Sequence, residues 1–271
     1  MNNNLTVIIV VYKTNRVILE KFISQIDENY KLLIIDNNSS YDFKNLDKFK
    51  NVTIFRSDQN KGNGDGINIA LNKVDTDYAM YFDIDTIFEK KLLNEIENYI
   101  KKIKDFCILI PNINSTHDST KELIETYDAQ GAAMLFNVSQ IKKVGLFDNN
   151  FFLYWEESDL YLRCKRYKKK IFVLPRINIL HKGSTSMEGD NENLRMISLR
   201  NWHYMWSLFY FYKKNYSYLF ALKKTYIFLI KDFLKLLYFL IKKDKLNICI
   251  RSNRLFGLIN SMVLKKSYKR L

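Results

Sequence analysis

The sequence predicts an α/β fold with a helical C-terminal extension. Two observations carry this. Short runs of β-branched residues alternate with helix-period segments through the first half of the chain, the pattern of an α/β sheet. From Asn191 onward the chain reads as helices only.

The elements follow in order. Leu5 to Tyr12 (LTVIIVVY) is a near-continuous apolar run, as expected for a strand buried on both faces. Residues 15–26 have helical spacing, with Thr14 or Asn15 as N-cap. KLLIID ends a second strand at Asp36, and NVTIFR (51–56) is a third. Gly62 to Val74 reads as a glycine-rich turn feeding a helix. YAMYFD (78–83) is a fourth strand, residues 90–104 a helix, and FCILIP (106–111) a fifth strand. Beyond it, GAAMLFN (131–137) reads as a strand and SQIKKVG as a short helix stopped by Gly145. EESDLYLRCKRYKKK has an acidic start and a basic end, suited to a helix dipole. IFVLP is a strand, and HKGSTS a polar loop. The division expected is a catalytic domain over 1–190 and a basic helical extension over 191–271, separated near Thr185 to Glu192.

Composition bounds the function. Hydrophobic residues make up 47% and charged residues 27%, so the chain is not mainly disordered. Cys107, Cys164 and Cys249 are odd in number and form no CxxC pair, which points to a reducing compartment. The N-terminus has no basic leader or small-residue cleavage site, so no signal peptide is expected. A formal net charge of +14 invites nucleic acid or an anionic membrane, but no nucleic-acid motif is present. The acidic residues cluster around 75–160, whereas the C-terminal third is nearly all Lys and Arg.

Asp36, the segment after Arg56, and Asp83 with Asp85 all fall at strand carboxyl ends, where open α/β sheets bind ligands. Two carboxylates spaced by one residue can share Mg²⁺ or Mn²⁺, which prefers oxygen donors and keeps positions open for phosphate. The alternatives are a solvated strand end, or Asp85 capping the next helix. Asp36 can accept a hydrogen bond from a nucleobase or ribose. Taken alone, EESD is an acidic helix start, His181 a loop histidine and Trp155 a core aromatic. Trp155 abuts the carboxylates, which favours a sugar-acceptor wall.

Seven blocks in order, IIVVYKTN, IIDNNSS, NKGNGDGIN, FDIDT, GAAMLF, VGLFDNNFFLYWEESDLYLR and LPRINILHKGSTS, resemble the family 2 glycosyltransferases, closest to their rhamnosyltransferase-like branch. The resemblance implies a GT-A fold, a Rossmann-like nucleotide-binding mixed sheet flanked by helices. It implies an inverting transfer from a nucleotide-sugar, dTDP-rhamnose or a UDP-sugar, to a cell-surface glycan or lipid-linked saccharide. Asp83 and Asp85 fall on the family's D-x-D position, and His181 on the late histidine that completes the shell of Mg²⁺ or Mn²⁺. Asp36, Asn38, Asn60, Gly62, Asp83, Gly131, Trp155 and Arg200 are the expected substrate contacts. Glu157 falls on the general-base position, flanked by Glu156 and Asp159. Here the family's usual Asp is a Glu, which leaves the base open among these three.

The chemistry is consistent with that assignment. Departure of a diphosphate needs its charge neutralised, and the acceptor hydroxyl needs one carboxylate base. Arg195 and Arg200 follow the histidine and suit a diphosphate. A sugar-phosphate nucleotidyltransferase is the competing enzyme class, but VYKTN after the first strand lacks that class's glycine-rich loop. In the extension, Leu222, Tyr226, Leu229, Ile230, Phe233, Leu237 and Leu240 recur at helical spacing among lysines. That is an amphipathic basic helix, for a membrane interface or for packing on the catalytic domain or in a homodimer. The expected location is cytoplasmic, peripheral on the inner face of the plasma membrane.

Overall fold

The computed structural model describes residues 4–39, 43, 46, 49–183 and 194–270. In chain order the elements are β1 (Leu5–Val11), α1 (Arg16–Ile23), β2 (Lys31–Asp36), β3 (Val52–Arg56), α2 (Asn63–Lys73), β4 (Tyr78–Phe82) and β5 (Thr86–Ile87). Then follow α3 (Leu92–Lys102), β6 (Ile108–Ile113), β7 (Ile124–Glu125), β8 (Ala133–Asn137), α4 (Val138–Val144), α5 (Glu156–Arg166) and β9 (Ile171–His181). Three long helices close the chain: α6 (Leu194–Asn215), α7 (Tyr218–Ile241) and α8 (Lys245–Met262). The chain divides into two compact units, Met1–Phe147 with Leu160–Glu188, and Asp148–Asp159 with Gly189–Leu271.

The first unit is built on one mixed sheet in the order β3-β2-β1-β4-β8-β6-β9-β5, with β7 on β9. Strands β3, β2, β1 and β4 run parallel, whereas β8 is antiparallel to β4 and β6. The central strands are apolar on both faces because each face packs a core. Val7, Ile9, Ile34 and Phe82 belong to one, and Ile8, Ile35, Tyr81 and Phe136 to the other. Helix α1 starts where Asn15 accepts from the Val17 amide at 2.8 Å. Helix α2 lies so close to β1 that a Cβ on Gly66 would come within 2.6 Å of Val10, so glycine is needed there. Gly145, at φ 83°, ends α4, and Arg163 donates to the carbonyls of Val144, Gly145 and Leu146. Cys107 and Cys164 are buried free thiols.

The last strand corrects the sequence reading. It does not stop at Pro175 before a polar loop. The pairing of β6 with β9 breaks between Pro111 and Asn112, and resumes with Asn112 opposite Asn178. A bulge over residues 175–177 therefore restarts the strand, which runs on to His181. Strands β5 and β7, of two residues each, are too short to leave a periodic trace. Asp85 does not cap the next helix, since α3 begins after Lys91.

The second unit has its own small core of Met205, Leu208, Phe209, Ala221 and Leu258. Helices α6 and α8 cross at Gly257, where a Cβ would meet the Trp202 carbonyl oxygen at 2.1 Å. His203 is fully buried, its Nε2 2.8 Å from the Lys269 carbonyl and its Nδ1 3.3 Å from the Ser267 hydroxyl. The neutral ring fits that pair of partners, donating to the carbonyl and accepting from the hydroxyl. Among the described residues no helix is long and apolar enough to cross a membrane.

Candidate active site

The site grows from the carboxyl end of β4. Beyond Phe82 the chain makes a tight turn, in which the Thr86 amide and hydroxyl both donate to the Asp83 carbonyl, at 3.1 and 2.7 Å. Ile84, in the middle, is buried in the core and anchors the turn. The flanking Asp83 and Asp85 are thereby fixed at a sheet edge. The turn then enters β5, which pairs antiparallel with the end of β9 and sets Thr86 opposite His181. This two-residue strand is how the backbone brings together residues nearly a hundred positions apart.

His181 Nε2 lies 3.4 Å from Asp83 Oδ2 and 3.2 Å from Asp85 Oδ1. One ligand atom from each residue falls within 4.8 Å of the others. The hydrogen bond to Asp85 raises the pKa of His181, against desolvation and with help from both carboxylates. Burial pushes the Asp83 carboxyl up to about 6, against lowering by the Tyr81 hydrogen bond and His181. The donor set fits a hard divalent cation such as Mg²⁺ or Mn²⁺: two carboxylate oxygens and one imidazole nitrogen.

Two groups holding this cluster were not legible in advance. Tyr81, two residues before Asp83 and on the same strand face, donates its hydroxyl to the Asp83 carboxylate and accepts from Asn63 at 2.8 Å. Period-two alternation was the available signal. Asn114, in the left-handed region at φ 52°, clamps the backbone of His181. Its Oδ1 accepts from the His181 amide at 2.9 Å and its Nδ2 donates to the His181 carbonyl at 3.1 Å.

The predicted substrate contacts of this unit fall as follows. Asp36 is fully buried; Oδ2 accepts from Arg56 Nε at 2.8 Å, and Oδ1 from the Ser39 amide at 2.9 Å and its hydroxyl. Its carboxylate thus organises the end of β2 and has no exposed surface. Beside it, Asn37 donates to Asn60 and to the Gly62 carbonyl, both at 3.0 Å, while its buried Oδ1 has no hydrogen-bond partner. Asn60 in turn accepts from the Gly62 amide at 3.0 Å. Gly62 needs its φ of 101° to enter α2. Asn38 is exposed at φ 64°, and Gly131 is buried just before β8.

The carboxylates of the EESD block lie in the second unit, at the first turn of α5. Tyr154 and Trp155 precede them in consecutive left-handed conformations, φ 67° and 68°, an unusual pair for aromatic residues. Asp159 is fully buried, its oxygens 2.8 Å from Lys214 Nζ and 2.8 Å from Asn215 Nδ2. Lys214 also pairs with Asp148 at 2.8 Å. Burial works against the Asp148 charge, but Lys214 and Asn150 outweigh it and hold its pKa low. Glu156 is buried and Glu157 half-buried. Trp155 packs among Phe211, Tyr212 and Tyr204. Arg200 is half-buried and Arg195 exposed on α6.

A sequence profile described as "Glycosyl transferase family 2" matches residues 6–173, more than half of the chain. The chain belongs to this family. It is a glycosyltransferase of GT-A fold. It is 23% identical over 242 residues, 79% of its length and 82% of the relative's, to the dTDP-rhamnosyl transferase RfbF of Shigella flexneri. It is 30% identical over 122 residues to the teichoic acid poly(glycerol phosphate) polymerase of Staphylococcus epidermidis, covering 42% of this transferase and only 16% of the polymerase. Among solved structures, a mannosyltransferase from Pyrobaculum calidifontis, in complex with GDP-Man and Mn²⁺, superposes with TM-score 0.61 at 11% identity, over 97% of this chain and 88% of that one. S. aureus TarS superposes with TM-score 0.55 at 14% identity, over 98% and 93% of the two chains. GalNAc-T7 with UDP, GalNAc and Mn²⁺ gives TM-score 0.58 at 13% identity, over 81% of this chain and 56% of that one.

Proposed function

We propose that this transferase moves a sugar from a nucleoside-diphosphate donor, dTDP-rhamnose or a UDP-sugar, to a hydroxyl of a surface glycan or lipid-linked saccharide, with inversion at the anomeric carbon. The acceptor would be met at the cytoplasmic face of the plasma membrane. The observation that carries the reading is the convergence of Asp83, Asp85 and His181 at the sheet edge. These residues would hold Mg²⁺ or Mn²⁺, which supplies neutralisation of the charge on the departing diphosphate. The relatives named for dTDP-rhamnosyl transfer and crystallised with Mn²⁺ support the donor class and the metal.

This chain's own residues do the rest. The acceptor oxygen attacks the anomeric carbon opposite the diphosphate, the bond from carbon to diphosphate oxygen breaks, and the hydroxyl proton passes to a carboxylate. Glu157 is assigned as that base. It stands where the family resemblance puts the general base, and it is less deeply buried than Glu156 and Asp159. One base suffices for a single displacement, in contrast to the carboxylate pair of a glycosidase. The unsatisfied Asn37 Oδ1, beside Asn60 and Gly62, is assigned to an N–H of the nucleotide. Arg200 is assigned to the diphosphate, and Trp155 to the acceptor sugar.

The test is release of nucleoside diphosphate across a donor panel, with Mn²⁺ and with chelator, followed by the product's anomeric configuration. Metal-dependent release and an inverted product support the proposal. No release from any donor with metal present overturns the donor assignment, and a retained configuration overturns the single displacement.

A further inference from the structure

Helix α7 presents three different faces at about 100° per residue. Ala221, Thr225 and Asp232 form the packed face. Leu219, Tyr226, Ile230, Phe233, Leu237 and Ile241 form a second row, and all of them are exposed, Leu219 at 75% and Ile241 at 81%. Lys224, Lys231, Lys235 and Lys242 recur at spacings of seven, four and seven, so they form a third row between the other two. An apolar row over about six turns of helix, interrupted by Lys223 alone and left in solvent, is far more than scattered surface hydrophobes explain.

Charge decides what covers it. From Leu194 to Leu271 there are seventeen Lys and Arg against two Asp, a formal +15, so the preceding 193 residues carry −1. Neither Asp is offered outward. Asp232 is buried and held by Arg251 at 2.9 Å and Arg254 at 2.7 Å, and Asp244 caps α8 through the Asn247 amide. A second copy packed α7 against α7 would bring two such cationic surfaces together, with Asp232 and Asp244 already engaged. An anionic bilayer supplies both an apolar layer for the exposed row and phosphates for the lysines, whose long stems reach the headgroups.

We infer that α7 lies in the interface of an anionic membrane, with the Leu219–Ile241 row inserted and the four lysines at headgroup level. This goes beyond the donor chemistry and fails or stands separately from it. The test is co-sedimentation of the full chain with phosphatidylcholine vesicles, with and without roughly a quarter phosphatidylglycerol. Retention on the anionic vesicles is expected to exceed that on neutral ones and to fall in high salt. Lys231→Gln with Lys235→Gln should weaken it by about five-fold per lysine. Ile230→Ser with Phe233→Ser should abolish it. Both positions are exposed, so the thermal midpoint and the metal-dependent hydrolysis of donor in solution should stay unchanged. Equal retention on both vesicles, insensitive to salt, overturns the inference. So does absence of retention together with a doubled mass in solution that Ile230→Ser with Phe233→Ser halves, which would make the row a contact between copies.

Discussion

Two regions of this transferase place a pair of aspartates around one nitrogen base, and the proposed function gives them opposite work. In the first unit His181 stands between Asp83 and Asp85, at 3.4 and 3.2 Å. In the second, Lys214 stands between Asp148 and Asp159, at 2.8 Å from each. An imidazole nitrogen can serve as a metal ligand, whereas Lys214 is spent as a salt bridge to both carboxylates. The first cluster is partly open, with Asp83 and His181 each half-buried. The second closes on a fully buried Asp159, whose other oxygen is taken by Asn215. On the proposed function the difference separates a ligand site from a strut: composition is nearly the same, and what would differ is whether the cation can be exchanged.

The strongest way to break that comparison is to treat both clusters alike. Asp85→Asn should cost roughly a thousand-fold in transfer rate, about 4 kcal/mol of barrier, because it removes a carboxylate from the charge-stabilising set. Folding should change little. Mn²⁺ at a hundred times its dissociation constant should stabilise the unmodified protein by about 2.7 kcal/mol, and this shift should vanish in Asp85→Asn. A thermal-shift titration reads both. If Asp85→Asn instead lowers the thermal midpoint while leaving the Mn²⁺ shift intact, the first cluster is the strut. Lys214→Met should do the reverse. It strands the buried Asp159 charge and should cost about 3 kcal/mol of stability, read as a lower urea midpoint, with the Mn²⁺ response retained.

The helical unit has a pH handle of its own. Burial lowers His203 to about 4, against some raising by the Lys269 carbonyl. The unfolded ring titrates near 6.5, so between these values the unfolded chain holds the extra proton. Stability from this group is complete above pH 6.5 and falls as the pH drops toward 4, by about 3 kcal/mol in all. His203→Gln should flatten that acid limb in urea titrations. An unchanged limb would mean that another group carries it.

How much of this was legible depends on how far apart in sequence the cause lies. The strands from Leu5 to Phe82 are written in local apolar runs, and Gly145 stops its helix by a local requirement for positive φ. The D-x-D pair was visible, and His181 was joined to it through the family resemblance, although its own segment read as a loop. What joins them is a two-residue strand and a bulge over residues 175–177, and neither has a period to read. The lysine rows of α7 could be counted from the sequence. That its apolar row faces solvent could not, because helical spacing is the same whether a face is buried or bare.

The smallest effect sharpens the comparison most. If the first cluster is a ligand site, its imidazole must be held from outside the metal shell, and Asn114 does this through both backbone groups of His181. Asn114→Ala would confuse two causes, since alanine resists the φ of 52°. Asn114→Gly accepts that backbone and removes only the clamp. It should weaken Mn²⁺ binding about ten-fold, the usual scale for a residue that orients a ligand, with less than about 1 kcal/mol lost in stability. Isothermal titration with Mn²⁺, compared with the urea midpoint, separates the two. Equal losses in both would make Asn114 a fold residue, and the pairing of β5 with β9 alone would then be what positions His181.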